Sequence, residues 1–259
     1  MRTMWVRRFV HVFVPAAFVA AGQLQVPFIG YLTDSSGELR AVTGVGGNLL
    51  LSDPVAKSVR AAAFAGPFGL MHVGDRLLLV GPGLELIASM PGVSSEALVA
   101  VSPALPLAVA WLQASGEICA LRPEQGGGSD CFPVSLEGTV QAIGVTSEAS
   151  AMLAVERNRA LWLALVDLEK RHTVRQMRLV GVAAPVALLG EEILYCREGE
   201  LVVRRADGAE IRTPSPVEAP EFDLVGRGWV SLRDSAGARW ILRVSGERLE
   251  VFRLPGGAP

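Results

Sequence analysis

The chain has 259 residues, half of them apolar, with 28 Gly and 16 Pro, enough for one sizeable core or one repeat array. Only 19% are charged, which excludes extended disorder, and a net charge of −2 leaves no electrostatic footprint for nucleic acid. Lys57 and Lys170 are the only lysines, and the arginines are scattered, as coding bias would leave them, rather than gathered into an anion-binding fork.

Residues 1–22 read as a signal peptide: Arg2, Arg7 and Arg8 precede an apolar run from Phe9 to Ala21, and small residues at Ala21 and Gly22 offer a cleavage site. The run is short for a bilayer span, so an uncleaved anchor is the alternative, and no cysteine marks a lipoprotein. The expected location is secreted or periplasmic, with no membrane span after cleavage. Removing the three arginines leaves the mature chain at −5.

From residue 23 to 254 the pattern is strand, turn, strand. FIGYLTD and ELRAVTG flank Ser35-Ser36-Gly37, and LLLS follows Gly46-Gly47-Asn48. Five full units come next, each divisible into four strands. They are RAAAFAG to LELIASM, ALVAVSP to CFPVSLE, VQAIGVTS to TVRQMRLVG, VAAPVALL to AEIRTPS, and EFDLVG to the final RLEVFRL. Anchored on the turn between second and third strands, at Gly74, Gly116, Arg159, Gly199 and Gly237, the spacings are 42, 43, 40 and 38 residues. Four strands at a period near forty mark blades of a β-propeller, each a small sheet that cannot bury its faces alone. The fold class is therefore all-β: a propeller of about six blades of four antiparallel strands, its N-terminal blade partial, followed by a tail at 255–259. Within the third unit, residues 149–180 lack Gly and Pro, and Leu161, Leu165 and Leu168 sit at helical spacing; only the repeat register makes this stretch a blade.

That third unit, LAVERNRALWLALVDLEKRHTVRQMRLVG, resembles the YVTN-type propeller repeats of secreted bacterial proteins: a turn with Asn158, a strand ending in Asp167, then one ending in Val180-Gly181. FIGYLTDSSGELRAVTGVGG is similar to the opening of exported soil-bacterial proteins whose function is unassigned, with a Gly-Tyr-x-x-Asp … Arg-x-Val-x-Gly-x-x-Gly pattern before propeller-like repeats. Both resemblances imply fold and export; neither implies a catalytic residue.

The residues themselves offer little chemistry. Cys119 and Cys131 flank a hairpin folding near Gln125, which sets them opposite each other; a disulfide and two free thiols are the alternatives. Cys196 is expected to be a small buried hydrophobe. His72 and His172 read as packing or surface residues, and no nucleophile elbow or phosphate loop occurs. The Asp-box-like Asp234, Gly237 and Trp240 read as an ordinary turn with a packed Trp. Candidate channel acids are Asp53, Glu96 and Asp223, without a calcium motif, so no catalytic, metal or cofactor residue is assigned. The expectation is a binding module for a protein partner in the envelope or an extracellular ligand, not nucleic acid. The alternative is a propeller hydrolase or lyase, which three or more charged side chains at the channel mouth would favour.

Overall fold

The structure, a computed structural model, describes residues 26–65, 68–123, 128–146 and 148–255. The expected signal segment, its expected cleavage point at Ala21–Gly22 and the end of the tail lie outside these residues. All regular elements described are strands, grouped in six antiparallel sheets. Blade 1 has three: β1 (Phe28–Thr33), β2 (Leu39–Val45) and β3 (Asn48–Ala56). Blade 2 holds β4 (Val59–Ala65), β5 (Phe68–Val73), β6 (Arg76–Val80) and β7 (Leu86–Pro91). In blade 3 come β8 (Ala97–Val101), β9 (Ala108–Leu112), β10 (Glu117–Leu121) and β11 (Ser129–Pro133). Blade 4 is β12 (Thr139–Val145), β13 (Ser150–Arg157), β14 (Ala160–Asp167) and β15 (His172–Arg178). Blade 5 is β16 (Val186–Leu189), β17 (Glu192–Arg197), β18 (Glu200–Arg204) and β19 (Glu210–Pro214). Blade 6 closes the series with β20 (Glu221–Gly226), β21 (Trp229–Arg233), β22 (Arg239–Ser245) and β23 (Arg248–Arg253). The fold is a six-bladed β-propeller.

The hairpin turns show why the repeat anchors fall where they do. A tight turn that matches the twist of its strands needs a residue with positive φ. Gly74, Gly116, Gly199 and Gly237 supply it at 61–86°, and Arg159 does so at 60° beside Asn158. Gly37, at φ 76°, extends the series one unit upstream. Residues 149–180 are three strands because alternate side chains must serve two neighbours. Ala151, Leu153 and Val155 of β13 pack on blade 3, while Met152 and Ala154 pack on blade 5. A strand buried on both faces becomes apolar throughout, and that imitates a helix in sequence.

Blade 1 explains how the ring closes. The first strands of blades 2–6 all begin at one face of the ring, here called the mouth, and their second strands return to it. β1 instead ends there: the turn Asp34–Gly37 lies beside Ser58 and Val59, at the start of β4. β1 is thus a second strand, and among the described residues blade 1 has no innermost strand. As a result β20 and β4 come directly alongside each other. β1 fills the seam behind them through a backbone contact, where a Cβ on Gly30 would lie 1.9 Å from the Val225 oxygen and one on Gly226 2.3 Å from that of Ile29.

The Gly-Tyr-x-x-Asp … Arg-x-Val-x-Gly-x-x-Gly pattern of residues 30–47 maps onto this wedge. Gly30 makes the close approach, and Tyr31 stacks on Phe64 with ring centroids 4.7 Å apart. Asp34 caps the turn by accepting from the Ser36 and Glu38 N–H groups and from Arg40, and Val42 is fully buried. Burial works to raise the Asp34 carboxyl, but hydrogen bonds led by that from the Ser36 side chain outweigh it and hold the group at about 2.

Two expectations need correction. Asp53 lies in β3, which runs on through Pro54 to Ala56 as the outermost strand of blade 1, far from the channel. Cys196 is half-buried rather than enclosed, since it lies near the end of β17.

Candidate functional site

A cavity of about 1020 Å³ opens at the mouth, lined by the starts of all five inner strands and by the end of β1 with its turn. Its walls are mixed: Leu98, Ile143, Val186, Leu188 and Phe222 alternate with polar and charged side chains. Leu188 and Leu224 also line a second cavity of about 450 Å³ at the opposite end of the axis, so they mark the narrow part between the two.

Two polar side chains owe their position to irregular strands. The β4–β5 register skips Arg60 and the β12–β13 register skips Gln141. A bulge of this kind re-aims the extra residue, and both residues line the cavity. Arg60 Nη1 donates to the Ser94 carbonyl (3.1 Å), and Gln141 Nε2 donates to Glu156 (3.0 Å). Gln113 Nε2 donates to the Val140 carbonyl (3.0 Å) while its oxygen accepts from Trp111. Arg233 pairs with Glu221.

The acceptors are in a different state. Glu96 is exposed at the rim, and its carboxylate has no hydrogen bond or ion pair among the described residues. His72, fully buried in β5, has Nε2 2.9 Å from the Val93 carbonyl. A carbonyl can only accept, so Nε2 carries the proton and Nδ1 is a bare lone pair, with no partner. Asp223 accepts no hydrogen bond from the described residues. It is half-buried by surface area because the cavity admits water, yet protein surrounds it closely. Burial raises its carboxyl above the ordinary value, opposed by the charges of Arg233 and Arg239.

Asp223 and Ser231 are directly paired in the β20–β21 register and share the face of blade 6 turned to blade 1. Ser231 Oγ there, and Thr33 Oγ1 at the end of β1, are buried without a partner. Arg239, buried on the same face, donates from Nη1 to the Thr33 carbonyl (2.8 Å). Where the described residues of blade 1 supply no inner strand, this face is therefore polar and incompletely hydrogen-bonded.

Of the residues singled out in sequence, Glu96, Asp223 and His72 meet at this cavity. His172 is exposed on β15 and takes no part in it. Asp234 caps its turn by accepting from the Ala238 N–H, and Trp240 packs between blades 5 and 6. Cys119 and Cys131 are directly opposite in the β10–β11 register and joined by a disulfide, with Cα atoms 4.1 Å apart. Five charged side chains line the mouth: Asp34, Arg60, Glu96, Asp223 and Arg233. Thr33, Arg60, Gln141 and Ser231 carry no sequence signal that could have marked them, since bulges and ring closure place them. Among the described residues no group of His, Cys, Asp and Glu has the arrangement of a metal site.

No protein-family model and no curated protein matches the chain. Among solved structures, the fold is similar to that of a streptogramin B lyase, at 11% identity and TM-score 0.51 over 89% of this chain and 85% of that one. It is also similar to the WD40 domain of Toxoplasma gondii coronin, at 12% identity and TM-score 0.50, covering 87% of this chain and 70% of that one. The RRP9 WD40 repeats match at 12% identity and TM-score 0.51, over 76% of this chain and 63% of theirs. At these identities the likeness is one of fold: the chain shares a β-propeller of WD40-like repeat character with proteins of different function.

Proposed function

We propose that the protein is an exported binding module of YVTN type that engages a ligand or partner at the mouth of its channel. The observation that carries this is the axial cavity of about 1020 Å³, onto which the Asp223 and Glu96 carboxylates face without a donor from the described residues and where His72 Nδ1 is buried without a partner. A concave pocket that combines apolar side chains with convergent polar groups is what a recognition site requires. Export draws support from the N-terminal pattern, and an oxidising compartment suits the Cys119–Cys131 bond.

The test is site-specific photo-crosslinking in the native cells. A photoreactive residue at Glu96 is expected to capture a defined species, whereas one at Asp207, in a turn on the opposite face, is not. Equal capture from both positions would refute a mouth-directed module. Fractionation and N-terminal sequencing check export, with a mature chain expected to begin near Gly22.

Two observations favour a second reading, a hydrolase or lyase: the five charged side chains at the mouth, and the state of Asp223. Asp223 is raised by burial and faces the cavity, where such a carboxyl can exchange a proton with a bound substrate. One similar fold belongs to a lyase. Turnover of esters or lactones that disappears with Asp223→Asn would establish this reading over the first.

A further inference from the structure

The nitrogen donors of the cavity are committed: Arg60, Gln113, Gln141 and Arg233 each already donate to an acceptor of the protein's own. Thr33 Oγ1 and Ser231 Oγ, which can donate or accept, and His72 Nδ1 are buried without a partner. The half-buried Asp223 carboxylate faces the cavity and accepts no hydrogen bond from the described residues. A buried acceptor left unmet is costly, and a carboxylate more so. The group that relieves it must bring N–H donors, and one that also brings positive charge relieves Asp223 most. The apolar side chains of Leu98, Ile143, Val186, Leu188 and Phe222 suit a hydrocarbon stem leading to that head.

We infer that the channel cavity binds an ammonium or guanidinium group carried on an aliphatic stem, with Asp223 as its anchor. This rests on the reading of the mouth as a binding site. The cation comes either from a free amine or from a lysine or arginine side chain of a peptide. Arg233 and Arg239 lie near Asp223 but do not occupy it: Arg233 is turned to Glu221 and Arg239 to the Thr33 carbonyl.

The experiment titrates the chain from residue 23 onward with agmatine, with acetyl-Gly-Lys-Gly-amide, with butyrate and with 1-pentanol. Affinity is read by calorimetry, and location by the methyl resonances of Leu188 and Leu224. Agmatine, the peptide or both are expected to bind and to shift those methyls, and the tighter of the two identifies the source of the cation. Asp223→Asn is expected to weaken the cationic probe at least tenfold. Asp223→Glu should retain part of the affinity, and Glu247→Gln, in a turn at the far face, all of it. Unchanged affinity in folded Asp223→Asn overturns the proposal, as does butyrate binding as well as agmatine. If only butyrate or pentanol shifts the methyls, the mouth remains a ligand site and the cation is wrong. If no probe does so, both readings fail.

Discussion

Replacing Asp223 by Asn is expected to stabilise the protein at neutral pH. The carboxylate is half-buried with protein close around it, accepts no hydrogen bond from the described residues, and is repelled by Glu221 as well as attracted by Arg233 and Arg239. Burial is the largest of these influences, so ionisation costs more than the arginines return. An unmet buried acceptor costs about 1–3 kcal/mol, and Asn removes the charge while keeping the shape. Its amide also brings N–H donors to a region where Ser231 Oγ and Thr33 Oγ1 lack partners. The gain is thus about 1–3 kcal/mol, or about 2–12 °C in melting temperature for a domain of this size. The sign with pH follows from the raised folded-state value. Below the ordinary value of 3.8 the carboxyl is protonated in both folded and unfolded chains and the wild type suffers no penalty. As pH rises through the folded-state value, the wild type loses stability and Asn does not. Urea unfolding followed by tryptophan fluorescence at pH 7 and pH 3 checks this. A destabilised Asn variant at pH 7, or an advantage that is the same at both pH values, would refute the reasoning.

Glu210 accepts from Tyr195, Arg204, Arg197 and Arg212 and is lowered to about 2, chiefly by the Tyr195 hydrogen bond and then by Arg204. Glu210→Gln is expected to cost about 1–2 kcal/mol, discounted because its arginines are partly exposed. The gap from wild type should narrow as pH falls from 4.5 towards about 2 in urea titrations. Gly30→Ala and Gly226→Ala each force a methyl into opposing backbone, so each should cost about 1–3 kcal/mol or more in equilibrium unfolding. An alanine at Gly47, where a Cβ meets nothing within 4 Å, should not cost this close-packing penalty, though its positive φ adds some strain. Reduction of Cys119–Cys131, which closes a short loop, is expected to lower stability by about 3 kcal/mol, read by melting with and without reductant.

The blades were legible because their cause is local. A period of two, a positive-φ residue in each hairpin and doubly apolar middle strands are all written within forty residues, and Gly37 even extends the register to the incomplete blade. The site was legible only in part, because its causes are long-range. Glu96 and Asp223 could be placed near first strands, but Asp53 could not be excluded, since deciding it requires knowing that LLLS starts an outer strand. Arg60 and Gln141 enter the cavity through bulges that no spacing announces. Thr33 reaches it from 190 positions before Asp223 because β1 closes the ring as a second strand. Cys196 illustrates the opposite limit: alternation placed it in a strand, but its half-exposure depends on where β17 ends.

The lack of an inner strand among the described residues of blade 1 connects this architecture to chemistry. Where two complete blades face each other, their second strands can be wholly apolar, as with Met152 and Ala154 of β13 against Leu188 of blade 5. Among the described residues no inner strand of blade 1 covers blade 6 at the mouth, and there it presents Asp223 and Ser231 with Arg239 behind them. Apolar residues at these positions would bring the seam together, as Gly30 and Gly226 do nearer the far end. A chain that closes the seam at one end and leaves it polar and unsatisfied at the other forgoes stability at the mouth. A ligand that binds only the folded chain restores that stability by mass action. Agmatine should therefore raise the melting temperature of the wild type more than that of Asp223→Asn. If the two rise equally, the polar seam is an incidental cost of closing the ring without an inner strand.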